Sequence, residues 1–149
     1  DNVLHRRAGP RLRAACVDAM SRRQTKLLAG TPPIVTPGFL LPARWVAHVT
    51  GPRVEPAGRA PTSAEAATLA ACYSHVLDAC RAGGMRSVAF VCLSTGLFGY
   101  PGEAAAVTAL GAVRQWLASN PRALDLVVFD TFAPADTRIY QRLAPTIFR

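Results

Sequence analysis

Lysine is almost missing from this chain: Lys26 is the only one, although the formal net charge is +8. The arginines are scattered along the sequence and read as a compositional bias, not as a tract built to neutralise phosphates, so no nucleic-acid partner is expected. CxxC spacing is absent too. Cys16, Cys72, Cys80 and Cys92 fall within predicted helices and a strand, and they read as small buried hydrophobes of a reduced, cytoplasmic protein. No apolar run is long enough to span a bilayer, so no membrane partner is expected. The basic start DNVLHRRAGPRLR leads into a polar, Arg-rich stretch and not into the apolar segment of a signal peptide. Two familiar phosphate-loop patterns are also lacking: GxxxxGK followed by Ser or Thr, and the dinucleotide fingerprint GxGxxG.

What is there is a chain of 149 residues, 50% hydrophobic, without low-complexity tracts. That length buries one sizeable core and is too short for two ordinary domains, so residues 1–149 read as a single domain and as a monomer. The opening residues place Val3, Leu4, Leu12, Cys16 and Met20 near helical spacing, interrupted at Gly9-Pro10, which predicts two short helices. Prolines 32, 33, 37 and 42 confine any strand that follows to a short edge piece around residues 34–36. Residues 45–50 (WVAHVT), bounded by Pro42 and Gly51-Pro52, read as a buried strand.

After a Pro/Gly-rich loop, Thr62 or Ser63 caps a long helix that carries Glu65 in its first turn and ends at Gly83-Gly84. Leu69, Cys72, Tyr73, Val76, Leu77 and Cys80 make its apolar stripe. Residues 87–93 (SVAFVCL) are almost wholly apolar and predict a central strand covered by helices on both faces. A helix over 103–117, a strand over 124–132 and a last helix over 134–143 complete the pattern. Strands alternating with helices at this spacing predict an α/β fold, a three-layer α/β/α sandwich around a mixed central sheet.

In open α/β sheets ligands sit beyond the carboxyl ends of strands. The loop Ser94, Thr95, Gly96, Leu97, Phe98, Gly99, Tyr100, Pro101 lies there, between the central strand and a helix. Its glycines allow close backbone approach, and successive N–H groups with the positive end of the next helix suit a diphosphate without any lysine. An ordinary glycine-rich turn with Phe98 in the core fits the same pattern. A second cluster is Asp1 and His5: four apart on a helix, they can orient one another or hold one water. The competing reading makes Asp1 a favourable helix-start charge and His5 a packing residue. His48 and His75 read as structural.

These residues carry a family resemblance. DNVLHRRAGPRL resembles the macrodomain segment written DxxIHxxAGP, TPGFLLPARWVAHVTGP resembles TxGYxLPAxxVIHxVGP, and SVAFVCLSTGLFGYP resembles SIAFPxISTGxFGYP. With three blocks in order across nearly the whole chain, the sequence is identified as a member of the macrodomain family, which binds ADP-ribose. The wording around Asp1-Asn2, LPARWVAHVTGP and VRQWL is most similar to zinc-containing bacterial macrodomains. In those relatives the zinc ligands lie upstream of the position matching Asp1, so no metal ligand is expected among residues 1–149, and the first strands of the fold are expected to be missing from them.

The resemblance implies a hydrolase that removes mono-ADP-ribose from modified protein side chains, with ADP-ribose and mono-ADP-ribosylated protein as partners and zinc possible in the complete protein. By position it makes Asp1 and His5 catalytic and puts Asn2, Ser94, Thr95, Gly96, Leu97, Phe98, Gly99 and Tyr100 on ADP-ribose. Phe98 falls against the distal ribose and Phe132 near the adenine. Val91-Cys92-Leu93 departs from the family's Pro-containing strand end, and Arg7 stands where Ala is common. A non-catalytic ADP-ribose reader is the alternative, which the Asp1/His5 pair disfavours because a reader needs no positioned acid and base.

Overall fold

The computed structural model describes residues 2–23 and 26–149. In chain order its elements are α1 (Asn2–Ala8), α2 (Pro10–Ser21), β1 (Ile34–Pro37), β2 (Trp45–His48), α3 (Ser63–Ala82), β3 (Ser87–Val91), α4 (Gly102–Ser119), β4 (Leu126–Asp130) and α5 (Pro134–Ile147). Gly9, at φ 82°, stops α1, and Pro10 starts α2 because a first-turn proline has no N–H to lose. Thr62 closes a capping box on α3: its hydroxyl accepts from the Glu65 N–H, and the Glu65 carboxylate accepts from the Thr62 N–H.

β1 and β2 pair antiparallel, with Ile34 opposite His48; β3 and β4 pair parallel, with Ser87 opposite Leu126. Among the described residues the two pairs do not join into one sheet. Helix α2 packs on β1, while α3, α4 and α5 pack successively beside β3 and β4. The predicted stripe of α3, Leu69 to Cys80, is buried throughout. Ala105, Ala106, Ala109 and Ala112 give α4 a small-residue face that lets its neighbours approach closely. The centre is aromatic: Tyr73 meets Phe90 edge-on at 5.0 Å, and Phe90, Phe129 and Tyr140 continue the row at 6.0 and 5.3 Å.

Three expectations change at residue level. β3 is covered on one face only. Phe90 turns into the core with Val88 against it, whereas Ala89 and Val91 are exposed, because the pleat alternates side chains and no described element lies on the second face. β2 is likewise half-covered, with Trp45 49% exposed. Finally, α5 runs beyond residue 143 and through Pro145 to Ile147, since Leu143, Ala144 and Ile147 pack on the Tyr140 cluster and offset the N–H that proline lacks.

Candidate functional site

The carboxyl ends of β2 and β3 point to the same place. A Cβ added to Gly51, three residues past β2, would fall 2.1 Å from Ser94 Oγ, three residues past β3, so the Gly51 backbone must lie directly on Ser94. Between them opens a cleft of about 220 Å³ lined by Val49, Thr50, Gly51, Leu93, Ser94, Gly96, Leu97 and Phe98. Ser94 adopts φ 66°, in the left-handed region that ordinary residues avoid. Its Oγ is buried with no hydrogen-bond partner among the described residues.

The loop is held from behind. Gly99 N–H donates to Gly96 O at 3.0 Å and Tyr100 N–H to Ser94 O at 3.0 Å. From the neighbouring segment, Val54 N–H donates to Phe98 O at 2.8 Å and Gly58 N–H to Gly99 O at 2.9 Å. Gly99, at φ 67°, is so close to that segment that a Cβ would sit 2.8 Å from Ala57 Cβ and 2.9 Å from Val54 O. These bonds use the loop's carbonyls. The N–H groups of Thr95, Gly96, Leu97 and Phe98 donate to no acceptor among the described residues, and the 18-residue helix α4 starts immediately after, at Gly102. Unused donors close to a helix start are the ingredients of a positive backbone concavity. The opposing segment is itself braced: Arg59 binds Glu65 through two hydrogen bonds of 2.6 and 2.9 Å, and the Arg59 and Thr62 donors hold the Glu65 carboxyl down at about 2.

Of the residues expected on ADP-ribose, the structure brings Ser94, Gly96, Leu97 and Phe98 to the cleft. Thr95 is tied back through its hydroxyl to Cys92 O at 3.2 Å, and Gly99 serves as the turn. Tyr100 is a correction. Its side chain is 2% exposed within the main core and its N–H is taken, because the chain dives towards α4 after Gly99; burial pushes its hydroxyl pKa up. Phe132 is fully exposed after β4 and does not line the cleft. The roles expected of Asp1 and of the Asn2 side chain lie outside the described residues.

His5, on α1, is half-exposed and close enough to His48 for its charge to act there. Burial first, and then His5, push the His48 imidazole below its ordinary value. His48 itself is structural as expected: its Nε2 lies 2.9 Å from the hydroxyl of buried Thr36 and 3.7 Å from Cys16 Sγ. Among the described residues no three His, Cys, Asp or Glu side chains gather as metal ligands, so no step here is assigned to zinc. The wall that sequence reasoning missed is Val49-Thr50-Gly51. Its signal was its place at a strand's carboxyl end, although Gly51-Pro52 served only as a strand boundary in that reading.

A cleft at converging strand ends, backed by helices, is where an α/β ligand-binding domain holds its ligand. The Macro domain family description matches residues 1–109, and the chain belongs to that family. It is 40% identical over 143 residues to Macro domain-containing protein RSc0334 of Ralstonia nicotianae, covering 95% of this chain and 74% of that protein. It is 36% identical over 143 residues to the Protein-ADP-ribose hydrolase of Treponema medium, covering 96% and 53%. Among solved structures, the Oceanobacillus iheyensis macrodomain with ADP matches at 31% identity and TM-score 0.88, over 98% of this chain and 74% of that one. The fold is therefore the α/β sandwich of the macrodomains. Across the first three curated relatives the chain spans 25%, 28% and 43% of their length.

Proposed function

We propose that this domain removes mono-ADP-ribose from modified protein side chains, gripping the diphosphate in the 94–100 loop while Asp1 assists attack by water. The observation that carries this is the buried Ser94 hydroxyl, without a partner among the described residues and costly in that state unless a ligand completes it, beside the N–H groups of Thr95 to Phe98 that no protein acceptor takes. A solved relative with ADP and a relative named a protein-ADP-ribose hydrolase support the same ligand and reaction class. Four free thiols fit a reducing, cytoplasmic setting.

In this reading the clamped diphosphate fixes the distal ribose, so that the bound water is already positioned. The water oxygen bonds to the anomeric carbon as the bond from that carbon to the protein atom breaks, its electron pair leaving with the protein. The proton shed by water passes through the Asp1 carboxylate to the leaving atom, and His5, one turn along α1, holds Asp1 in place.

Asp1→Ala in the intact protein is the test. Release of ADP-ribose from a modified protein should stop while calorimetric binding of ADP-ribose persists. Unchanged turnover removes Asp1 from the mechanism, and absence of any heat with ADP-ribose removes the whole reading.

A further inference from the structure

Two consecutive peptide groups at the back of the 94–100 loop are bonded at both edges. In the Phe98–Gly99 peptide the carbonyl accepts from Val54 N–H at 2.8 Å and the N–H donates to Gly96 O at 3.0 Å. In the Gly99–Tyr100 peptide the carbonyl accepts from Gly58 N–H at 2.9 Å and the N–H donates to Ser94 O at 3.0 Å. A planar peptide held at either edge cannot turn. The arc of N–H groups from Thr95 to Phe98 spans from Ser94 to these planes, and its shape depends on where both ends are held.

The two outer bonds come from a segment with little packing of its own. Val54 is buried, but Glu55, Pro56, Ala57, Gly58 and Ala60 are exposed, and a Cβ at Gly58 would meet nothing within 4 Å. Arg59 supplies the hold that packing does not. Its Nε donates to Glu55 O at 2.8 Å and its Nη1 to Ala60 O at 2.8 Å, which draws the ends of the 55–60 turn together. Nη1 and Nη2 also donate to the Glu65 carboxylate at 2.9 and 2.6 Å, and Glu65 is fixed in the first turn of α3 by the Thr62 N–H at 2.7 Å. A planar fork meets two carbonyls and a carboxylate at once, a geometry that the point charge of lysine does not reproduce.

We propose that Arg59 is a positioning residue for the diphosphate: its guanidinium staples the 54–60 segment to α3, and that segment holds the Phe98 and Gly99 carbonyls, which keeps the N–H arc of residues 95–98 in its binding shape. Arg59 does not line the cleft, so it acts through the backbone and not by touching the ligand. The inference rests on the reading of that arc as the diphosphate grip. With Arg59 in place the arc is ordered before the ligand arrives; without it, the ordering falls to the binding step and weakens affinity.

Arg86 provides a matched control. It makes the same kind of fork, to the Asp125 carboxylate at 2.6 and 3.1 Å and to the carbonyls of Arg122 and Ala123 at 2.9 and 3.2 Å, but it precedes β3 and so stands at the end of that strand away from the loop. The experiment uses the intact protein and measures ADP-ribose affinity by calorimetry, hydrogen exchange of residues 94–101 without ligand, and the urea midpoint. Arg59→Gln should raise Kd roughly tenfold, the cost of ordering about one residue's backbone on binding, and should speed exchange at Gly99 and Tyr100 in the free protein. Arg59→Lys, which keeps the charge and loses the fork, should do most of the same. Arg86→Gln should lower the midpoint similarly and leave both Kd and loop exchange unchanged.

Wild-type affinity in Arg59→Gln overturns the positioning role and spares the ADP-ribose reading. Wild-type affinity in Arg59→Lys does the same, by making charge and not the fork the agent. An equal rise of Kd in Arg86→Gln also overturns it, because general loss of stability is then the cause. No heat with ADP-ribose in the wild type overturns the diphosphate grip itself, and with it this role of Arg59.

Discussion

Gly96→Ala separates binding from folding. A Cβ at Gly96 meets nothing within 4 Å, and the residue does not need the left-handed region, so the protein itself has no objection to a methyl group there. The glycine is required only if something else occupies that space. In the proposed complex it is the diphosphate, drawn against the N–H groups of residues 95–98, and a methyl there pushes it away from one donor. Each charge-assisted hydrogen bond lost costs about 1.5–3 kcal/mol, which raises Kd for ADP-ribose about ten- to a hundredfold. The unfolding midpoint should stay or rise slightly, because alanine narrows the unfolded ensemble. Titration calorimetry and urea denaturation on one preparation decide the matter. Wild-type affinity in a normally folded Gly96→Ala protein would refute the backbone cradle, and a large loss of stability would refute the open space.

Three further outcomes follow from the same geometry. Gly99→Ala, at φ 67° and 2.8 Å from Ala57 Cβ, should lose about 2–4 kcal/mol by urea denaturation, from left-handed strain and overpacking together. Tyr73→Ala, emptying a fully buried ring site against Phe90, should lose about 3–5 kcal/mol without altering the unfolding slope. Glu65 sets a pH response: its carboxyl titrates at about 2 when folded against 4.5 ordinarily, so the folded form binds fewer protons, and its contribution is complete above 4.5 and fades as pH falls towards 2. Glu65→Gln should flatten that stretch of an acid-unfolding curve, and high salt should flatten it partly in the wild type.

The elements that could be read from the sequence are those whose cause is local. The α3 stripe, the Thr62–Glu65 cap, the break at Gly9-Pro10 and the 94–101 loop each announce themselves within a few residues of spacing or turn chemistry. The Gly51 wall did not, because its reason for being glycine is Ser94, 43 positions away in sequence and in contact only after folding. Tyr100 misled for the opposite cause: it continues the loop motif, yet its ring is claimed by the core between α3 and α4. Apolarity alone misjudged β3, since Ala89 and Val91 are apolar and exposed all the same. Asp1 and Asn2 drew their roles from resemblance, and that part of the site stands or falls by the Asp1→Ala experiment.

The bonds from Val54 and Gly58 to the back of the 94–100 loop bear on what the cleft rejects. A rim bolted to its neighbour has little slack, so the loop itself loses little freedom when a guest settles in, and the guest gains nothing by asking the rim to stretch. Discrimination then comes from shape: a ligand one phosphate too long finds no second conformation waiting to receive it.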